Sequence, residues 1–176
     1  MAVAGILTTV LNLFAHPKRV IQIDESKLKY LDAKTAHILF ALGEAVIGED
    51  FRDRVPEFIP NTDDILAYQR REQRETLKQG LLLLENPIAN KIFGASLRGF
   101  SHHSLKERQE VLKYLKESKQ DMLRNLYGAS INIAASAYYA SEATWKDILY
   151  DGVSVDHPEL LKQPLWRPGD PRPVEK

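Results

Sequence analysis

The sequence contains no cysteine among its 176 residues, and its charges show no excess of either sign. A chain without cysteine has no disulfide framework, no thiolate metal site, no iron–sulfur cluster and no cysteine nucleophile. The 24 Lys and Arg residues balance 24 Asp and Glu residues, so the formal net charge is zero. Because nucleic-acid-binding domains usually carry a basic excess, we expect no nucleic acid partner.

An uncharged apolar stretch occupies residues 1–15, but it is shorter than the ~20 apolar residues of a membrane-spanning helix. No Lys, Arg or twin-arginine pair precedes it, so the sequence shows no export signal and favours a cytoplasmic or membrane-associated location. Its apolar residues recur every three or four positions, which predicts an N-terminal apolar helix over residues 1–16. This helix packs on its own domain or on a partner, or lies in the membrane plane as a peripheral anchor.

Apolar residues at helical spacing from 31 to 152 predict an all-α fold, a compact bundle of about five to six helices. Asp32 can cap a helix that ends at Gly48. Residues 49–60 then read as a loop, and Asn61 begins one long helical run to Asn86. No strand pattern of comparable strength is present.

A capping-box pattern, Ser104 with Glu107, predicts the start of the next helix. The following helix, roughly Lys119 to Ala140, is rich in small residues that allow close packing, so we expect it at the centre of the bundle. Ser141 can cap a short last helix over 142–149.

Two segments flank this bundle domain. Residues 17–30 are expected to form a linker, and residues 153–176 an extended proline-rich tail. Five of the nine prolines follow position 156, so the tail cannot build a core of its own and must lie on its own domain or on a partner.

No catalytic motif is found: the sequence has no G-x-S-x-G elbow, no P-loop and no G-x-G-x-x-G. None of the five histidines has a Glu three positions earlier, as a carboxylate-bridged metal pair in a bundle would need. We therefore expect no catalytic residue, metal or cofactor in this chain. The adjacent His102 and His103 are expected to face solvent or to cap a helix, and Asp63 with Asp64 to favour a helix start.

Aromatic side chains are concentrated near the end of the bundle and continue into the tail. Three explanations stay open: a plug that closes the core, a contact surface for a partner, or a site for stacking a ligand. The partner-binding hypothesis names Tyr138, Tyr139, Trp145, Tyr150 and Trp166.

Several of these motifs together resemble one protein family. They include Leu83-Leu84-Glu85, Phe100 with the following SHHSLKERQEVLKYLKES, and Tyr138-Tyr139-Ala140-Ser141 with Thr144-Trp145 and Tyr150-Asp151-Gly152. From Leu31 to Gly152 the chain is similar to the small subunit of bacterial gluconate 2-dehydrogenase, called subunit 3 or gamma.

The resemblance implies a non-catalytic accessory subunit. Such a subunit binds and stabilises a larger FAD-dependent oxidoreductase of the glucose–methanol–choline type, which acts on alcohols, sugars or sugar acids. FAD would then belong to the partner, and electrons would pass to a haem subunit or another electron-transfer subunit. The family also implies a periplasmic location, although many members carry a twin-arginine signal that this sequence lacks.

Two other functions remain open. One is a stand-alone helical module that recruits another protein or works as a membrane-surface adaptor. The other is a small helical enzyme whose site is not recognisable from the sequence.

Overall fold

The computed structural model describes residues 16–19, 21–48, 51 and 57–148, and within these ranges it contains helices and turns but no strand. The predicted all-α helical bundle is confirmed. Six α-helices are described: α1 (Ala33–Ile47), α2 (Phe58–Ala67), α3 (Arg71–Glu85), α4 (Pro87–Ile92), α5 (Leu105–Glu117) and α6 (Asp121–Tyr139). Three short 3-10 helices span Glu25–Lys27, Phe100–His102 and Glu142–Ile148. The predicted N-terminal helix and proline-rich tail lie outside the described residues.

Helix α1 is the central helix of the bundle. Every residue from Thr35 to Ala45 is buried, because α1 packs against α2, α3, α5, α6 and the 3-10 helix Phe100–His102. Both predicted ends are confirmed: Asp32 and Thr35 form a reciprocal capping box, and Gly48 ends the helix with a φ of 114°. That left-handed conformation carries little cost for glycine alone.

The sequence predicts α6 at the centre of the bundle, but only one side of α6 is enclosed by other helices. Its small residues Ala134 and Ala137 are fully buried, and the helix packs along α1, α2 and α5. Its other side, including Arg124 and Asn132, is exposed. Small residues therefore mark the close contact of α6 with its neighbours, whereas the largely apolar sequence of α1 marks the centre.

The single helix predicted from Asn61 to Asn86 is wrong, since the chain turns between α2 and α3. Arg74 of α3 stabilises this turn. Its Nη1 donates to the carbonyls of Leu66 at 3.2 Å and Gln69 at 3.0 Å. The Leu66 carbonyl lies in the last turn of α2 and the Gln69 carbonyl in the turn that follows, so one side chain of α3 holds the chain where α2 ends. Helix α2 also begins inside the predicted loop, at Phe58.

The segment predicted as a linker, 17–30, packs against the bundle. Ile21, Ile23 and Leu28 are partly buried against the core. The segment is held by Asp63, which is 2% exposed and accepts three backbone N–H bonds, from Lys29 at 2.7 Å, Tyr30 at 3.0 Å and Leu31 at 2.8 Å. Because α2 begins at Phe58, Asp63 lies in its second turn, and the expected helix-start role of Asp63 and Asp64 is wrong. Asp63 is instead a clamp between α2 and the chain that enters α1.

Replacing this clamp should destabilise the protein strongly. Asp63→Ala leaves three backbone donors without their acceptor, and each unsatisfied buried group costs about 1–3 kcal/mol. We expect a loss of at least about 3 kcal/mol in the free energy of unfolding, measured by urea denaturation. Asp64→Ala is the matched control, because Asp64 is exposed and makes only a surface ion pair with Lys29. Equal losses for the two variants would contradict the clamp.

Candidate partner-binding surface

The two adjacent tyrosines in the last turn of α6 differ in burial. Tyr138 is only 7% exposed and belongs to the core, whereas Tyr139 is 45% exposed. Their rings meet edge to face, with centroids 5.2 Å apart and planes at 80°. Tyr138 thus fits the core-plug explanation, which corrects its inclusion in the partner-binding set, and Tyr139 presents an aromatic ring to solvent.

The 3-10 helix Glu142–Ile148 folds back over the end of α6. Trp145 is half-buried and its Nε1 donates to the carbonyl of Tyr139 at 2.8 Å. Thr144 is fully buried, with its hydroxyl 3.1 Å from the carbonyl of Tyr138 and 2.8 Å from that of Ser141. These side chains satisfy carbonyls that α6 leaves open at its end, and they fix the position of Tyr139.

Near this end of α6, one prediction differs from the structure, and another concerns residues that the structure does not describe. The Ser141 hydroxyl, expected to cap the last helix, donates instead to Glu57 at 3.4 Å. It therefore joins the end of α6 to the residue before α2. Tyr150 and Trp166 lie outside the described residues, so their part in a partner-binding surface stays a prediction.

A second group of polar residues surrounds Glu85, whose carboxylate is fully buried at the end of α3. Its two oxygens accept from Ser101, one from the backbone N–H at 2.9 Å and the other from the hydroxyl at 2.8 Å. The same hydroxyl accepts the backbone N–H of Lys18 at 2.7 Å. Next to it, Nε2 of His102 lies 2.8 Å from the carbonyl oxygen of His16 and 4.0 Å from Glu85. We call these five residues the Glu85 cluster.

The Glu85 cluster contains Ser, His and Glu, but its hydrogen bonds have a structural role. The Ser101 hydroxyl bonds directly to the carboxylate and not to His102, so no imidazole is placed to activate it as a nucleophile. Burial raises the pKa of Glu85, while the two Ser101 bonds oppose that rise. The carboxyl group therefore holds its proton more readily in the folded protein than in the unfolded chain.

The neighbouring His103 was expected to face solvent or cap a helix, and it is the C-cap residue of the 3-10 helix Phe100–His102. Its side chain does not face solvent: it is 5% exposed, and its Nδ1 lies 3.3 Å from the Ser96 hydroxyl. Burial lowers the pKa of His103. Its Nε2 has no hydrogen-bond partner in the part of the chain that the structure describes. The neutral ring is thus a packing element beneath the turn that follows α4.

Glu107 and Arg108, which belong to the SHHSLKERQEVLKYLKES motif of the family resemblance, are structural as well. Glu107 completes the predicted capping box with Ser104. Arg108 forms a buried ion pair with Glu44 of α1 at 2.6 Å and donates to the carbonyl of Ala41 at 2.8 Å. The pair therefore begins α5 and joins it to α1.

Two grooves flank the segment that Asp63 holds. One, of about 680 Å³, lies between residues 21–29 and α2, and the other, of about 250 Å³, lies against α3. Two of the charged groups lining the second are engaged: Arg74 lies 4.5 Å from the ring of Tyr30, and Lys78 pairs with Asp32 at 2.6 Å. Among the described residues, no cluster of His, Asp or Glu has the arrangement of a metal site. The expected absence of a cofactor in this chain stays a prediction.

No helix in the described ranges has the length and apolar character to cross a membrane. No protein-family model, curated protein or solved structure matches this chain. The similarity to subunit 3 of gluconate 2-dehydrogenase therefore rests on the quoted motifs.

Protonation of Glu85 should leave a signature in stability against pH. Because its folded pKa is raised above the ordinary value of 4.5, its contribution is complete below that value and is lost as pH rises through the folded pKa. Each unit of the rise corresponds to about 1.4 kcal/mol. We expect the stability advantage of the wild type over Glu85→Gln to shrink between acidic and neutral pH, measured by thermal unfolding.

Glu107→Gln provides a control of opposite sign. Hydrogen bonds from Ser104 lower the pKa of Glu107, so its contribution is present above the ordinary value and is lost as pH falls. A wild-type advantage over Glu85→Gln that grows toward neutral pH would contradict the raised pKa of Glu85.

Proposed function

We propose that this chain is a non-catalytic accessory subunit that binds and stabilises a larger FAD-dependent oxidoreductase of the glucose–methanol–choline type. The partner acts on alcohols, sugars or sugar acids, holds the FAD, and passes electrons to a haem subunit or another electron-transfer subunit. The proposal takes its substrate class and partner from the resemblance, and its binding surface from the end of α6.

One observation carries the proposal: the Tyr-Tyr-Ala-Ser and Thr-Trp motifs form a single unit with one aromatic ring outward. Tyr138 and Thr144 are buried, and Trp145 binds the backbone of Tyr139. Trp145 holds the backbone of Tyr139, and the edge-to-face contact with Tyr138 orients its ring, which lowers the entropy that the ring loses on binding. A rigid, half-exposed tyrosine is the kind of anchor found at the centre of protein interfaces.

The other family motifs support a structural subunit. Glu85 closes the cluster at the end of α3, Phe100 is fully buried, and Arg108 joins α5 to α1. Each of these residues contributes to packing or bonding between helices, which supports a structural role. The alternative, a stand-alone interaction module or membrane-surface adaptor, is favoured by a different surface, which is described below.

The test is affinity purification of the full chain from its native source, with an absorbance spectrum of the bound fraction. We expect a flavoprotein to co-purify and Tyr139→Ser to weaken its binding by about 30-fold, the equivalent of 2 kcal/mol for a lost aromatic anchor. The backbone carbonyl that Trp145 uses is kept in this variant, so the melting temperature should change little.

Tyr68→Ser is the matched control, because Tyr68 is 93% exposed at the end of α2, outside the surface formed by α6. Equal recovery with Tyr139→Ser and Tyr68→Ser would refute the surface. A bound protein without flavin would refute the oxidoreductase and favour the interaction module.

A further inference from the structure

Helix α4 exposes apolar side chains although it is firmly attached to the bundle. Ile88 and Ile92 are 57% and 64% exposed, and they lie four residues apart on the same face. Asn86 caps the helix by accepting from the backbone of Ile88 and Ala89, and Asn90 is fully buried beneath it. The outward face is therefore presented by a fixed helix.

The turn after α4 adds a third exposed apolar residue at the same end of the molecule. Leu97 is 64% exposed. Two residues later the backbone of Gly99 packs on Glu85, so closely that a Cβ there would lie 2.9 Å from the Glu85 carbonyl oxygen. Glu85 immediately precedes Asn86, the N-cap residue of α4. The contact with Gly99 therefore places the end of this turn next to the start of the helix. We call Ile88, Ile92 and Leu97 the α4 patch.

The chain segment that carries the α4 patch has basic but no acidic side chains, although the exposed Glu107 that follows it lies near Arg98. From Asn86 to Lys106 the sequence contains no Asp or Glu, while Lys91, Arg98 and Lys106 are exposed. The carboxylate that precedes this stretch, Glu85, is buried. A protein of zero net charge thus has a local surface that combines apolar and basic side chains.

An uncharged apolar segment joins the body beside this surface. The carbonyl of His16 lies 2.8 Å from His102, and the backbone of Lys18 bonds to Ser101, both in the Glu85 cluster. The fifteen residues before His16 contain no charged side chain. Their attachment point therefore lies at the end of the molecule that carries the α4 patch.

We infer that this end is a membrane-surface contact, in which the α4 patch enters the headgroup region and Lys91 and Arg98 bind anionic lipid headgroups. A bilayer surface accepts apolar side chains and cations at one depth, since Lys and Arg stems reach through the apolar layer to the headgroups. The attachment of an uncharged apolar segment at the same end favours a bilayer as the occupant of this surface. The inference is independent of the proposed flavoprotein partner, because vesicle binding needs the chain alone.

Co-sedimentation with vesicles tests the inference on the full chain. We expect binding to phosphatidylcholine vesicles that contain about 30% phosphatidylglycerol, weaker binding to phosphatidylcholine alone, and loss of binding at high salt. The double variant Ile88→Ser with Ile92→Ser should bind about tenfold less, while Tyr68→Ser binds as the wild type does. Lys91→Gln with Arg98→Gln should remove the preference for the anionic vesicles, and Lys116→Gln on α5 should keep it.

Circular dichroism and thermal melting separate lost binding from lost folding. The substituted apolar side chains are more than half exposed and the basic ones are exposed, so the melts should be unchanged. Leu97→Ser provides a variant outside any helix. Absence of binding to anionic vesicles, or equal binding by the patch variants, would overturn the inference. A chain that ignores vesicles but loses a protein partner when the α4 patch is changed would assign this face to a protein instead.

Discussion

The burial of one carboxylate, that of Glu85, determines how an entire end of this molecule is arranged. A buried charged or polar group is tolerated only when its hydrogen bonds are made, and here Ser101 supplies two of them. To supply them, the turn after α4 must return to the end of α3, which Gly99 permits by lacking a side chain. The bound hydroxyl then holds the backbone of Lys18. The direction of the incoming chain and the outward face of α4 both follow from this arrangement.

The same use of carboxylates recurs elsewhere in the bundle. Asp63 holds the segment before α1 through three backbone N–H groups, and Glu44 pairs with Arg108 between α1 and α5. Apolar packing around α1 drives association of the helices but is tolerant of small shifts. These bonds select one arrangement, because displacing any of them leaves a buried polar group without a partner. Surfaces presented by α4 and by the end of α6 are held in place through this internal polar framework.

Features that depend on local chemistry were predictable from the sequence. The capping residues Asp32 and Ser104 and the terminal Gly48 act on backbone groups within a few positions, so their patterns located both ends of α1 and the start of α5. The break between α2 and α3 was not predictable in this way. It involves Arg74 of α3, which donates to the carbonyl of Leu66 in α2 and to that of Gln69 in the turn after it. Tyr138 and Tyr139 were grouped together as aromatic neighbours, although consecutive helical residues point in different directions. In the sequence, Glu85 is an ordinary acidic residue at the end of a helix. Its contact with Ser101 arises only when the chain is folded.

Amide hydrogen exchange in the wild type and in Glu85→Ala tests most directly whether this carboxylate organises its end of the molecule. The amides of Ser101 and Lys18 donate to the carboxylate and to the hydroxyl that it holds. They should exchange much faster in the variant, whereas the amides of the buried stretch from Thr35 to Ala45 in α1 should stay protected. Unchanged exchange at Ser101 and Lys18 would contradict the account, as would an equal loss of protection throughout α1.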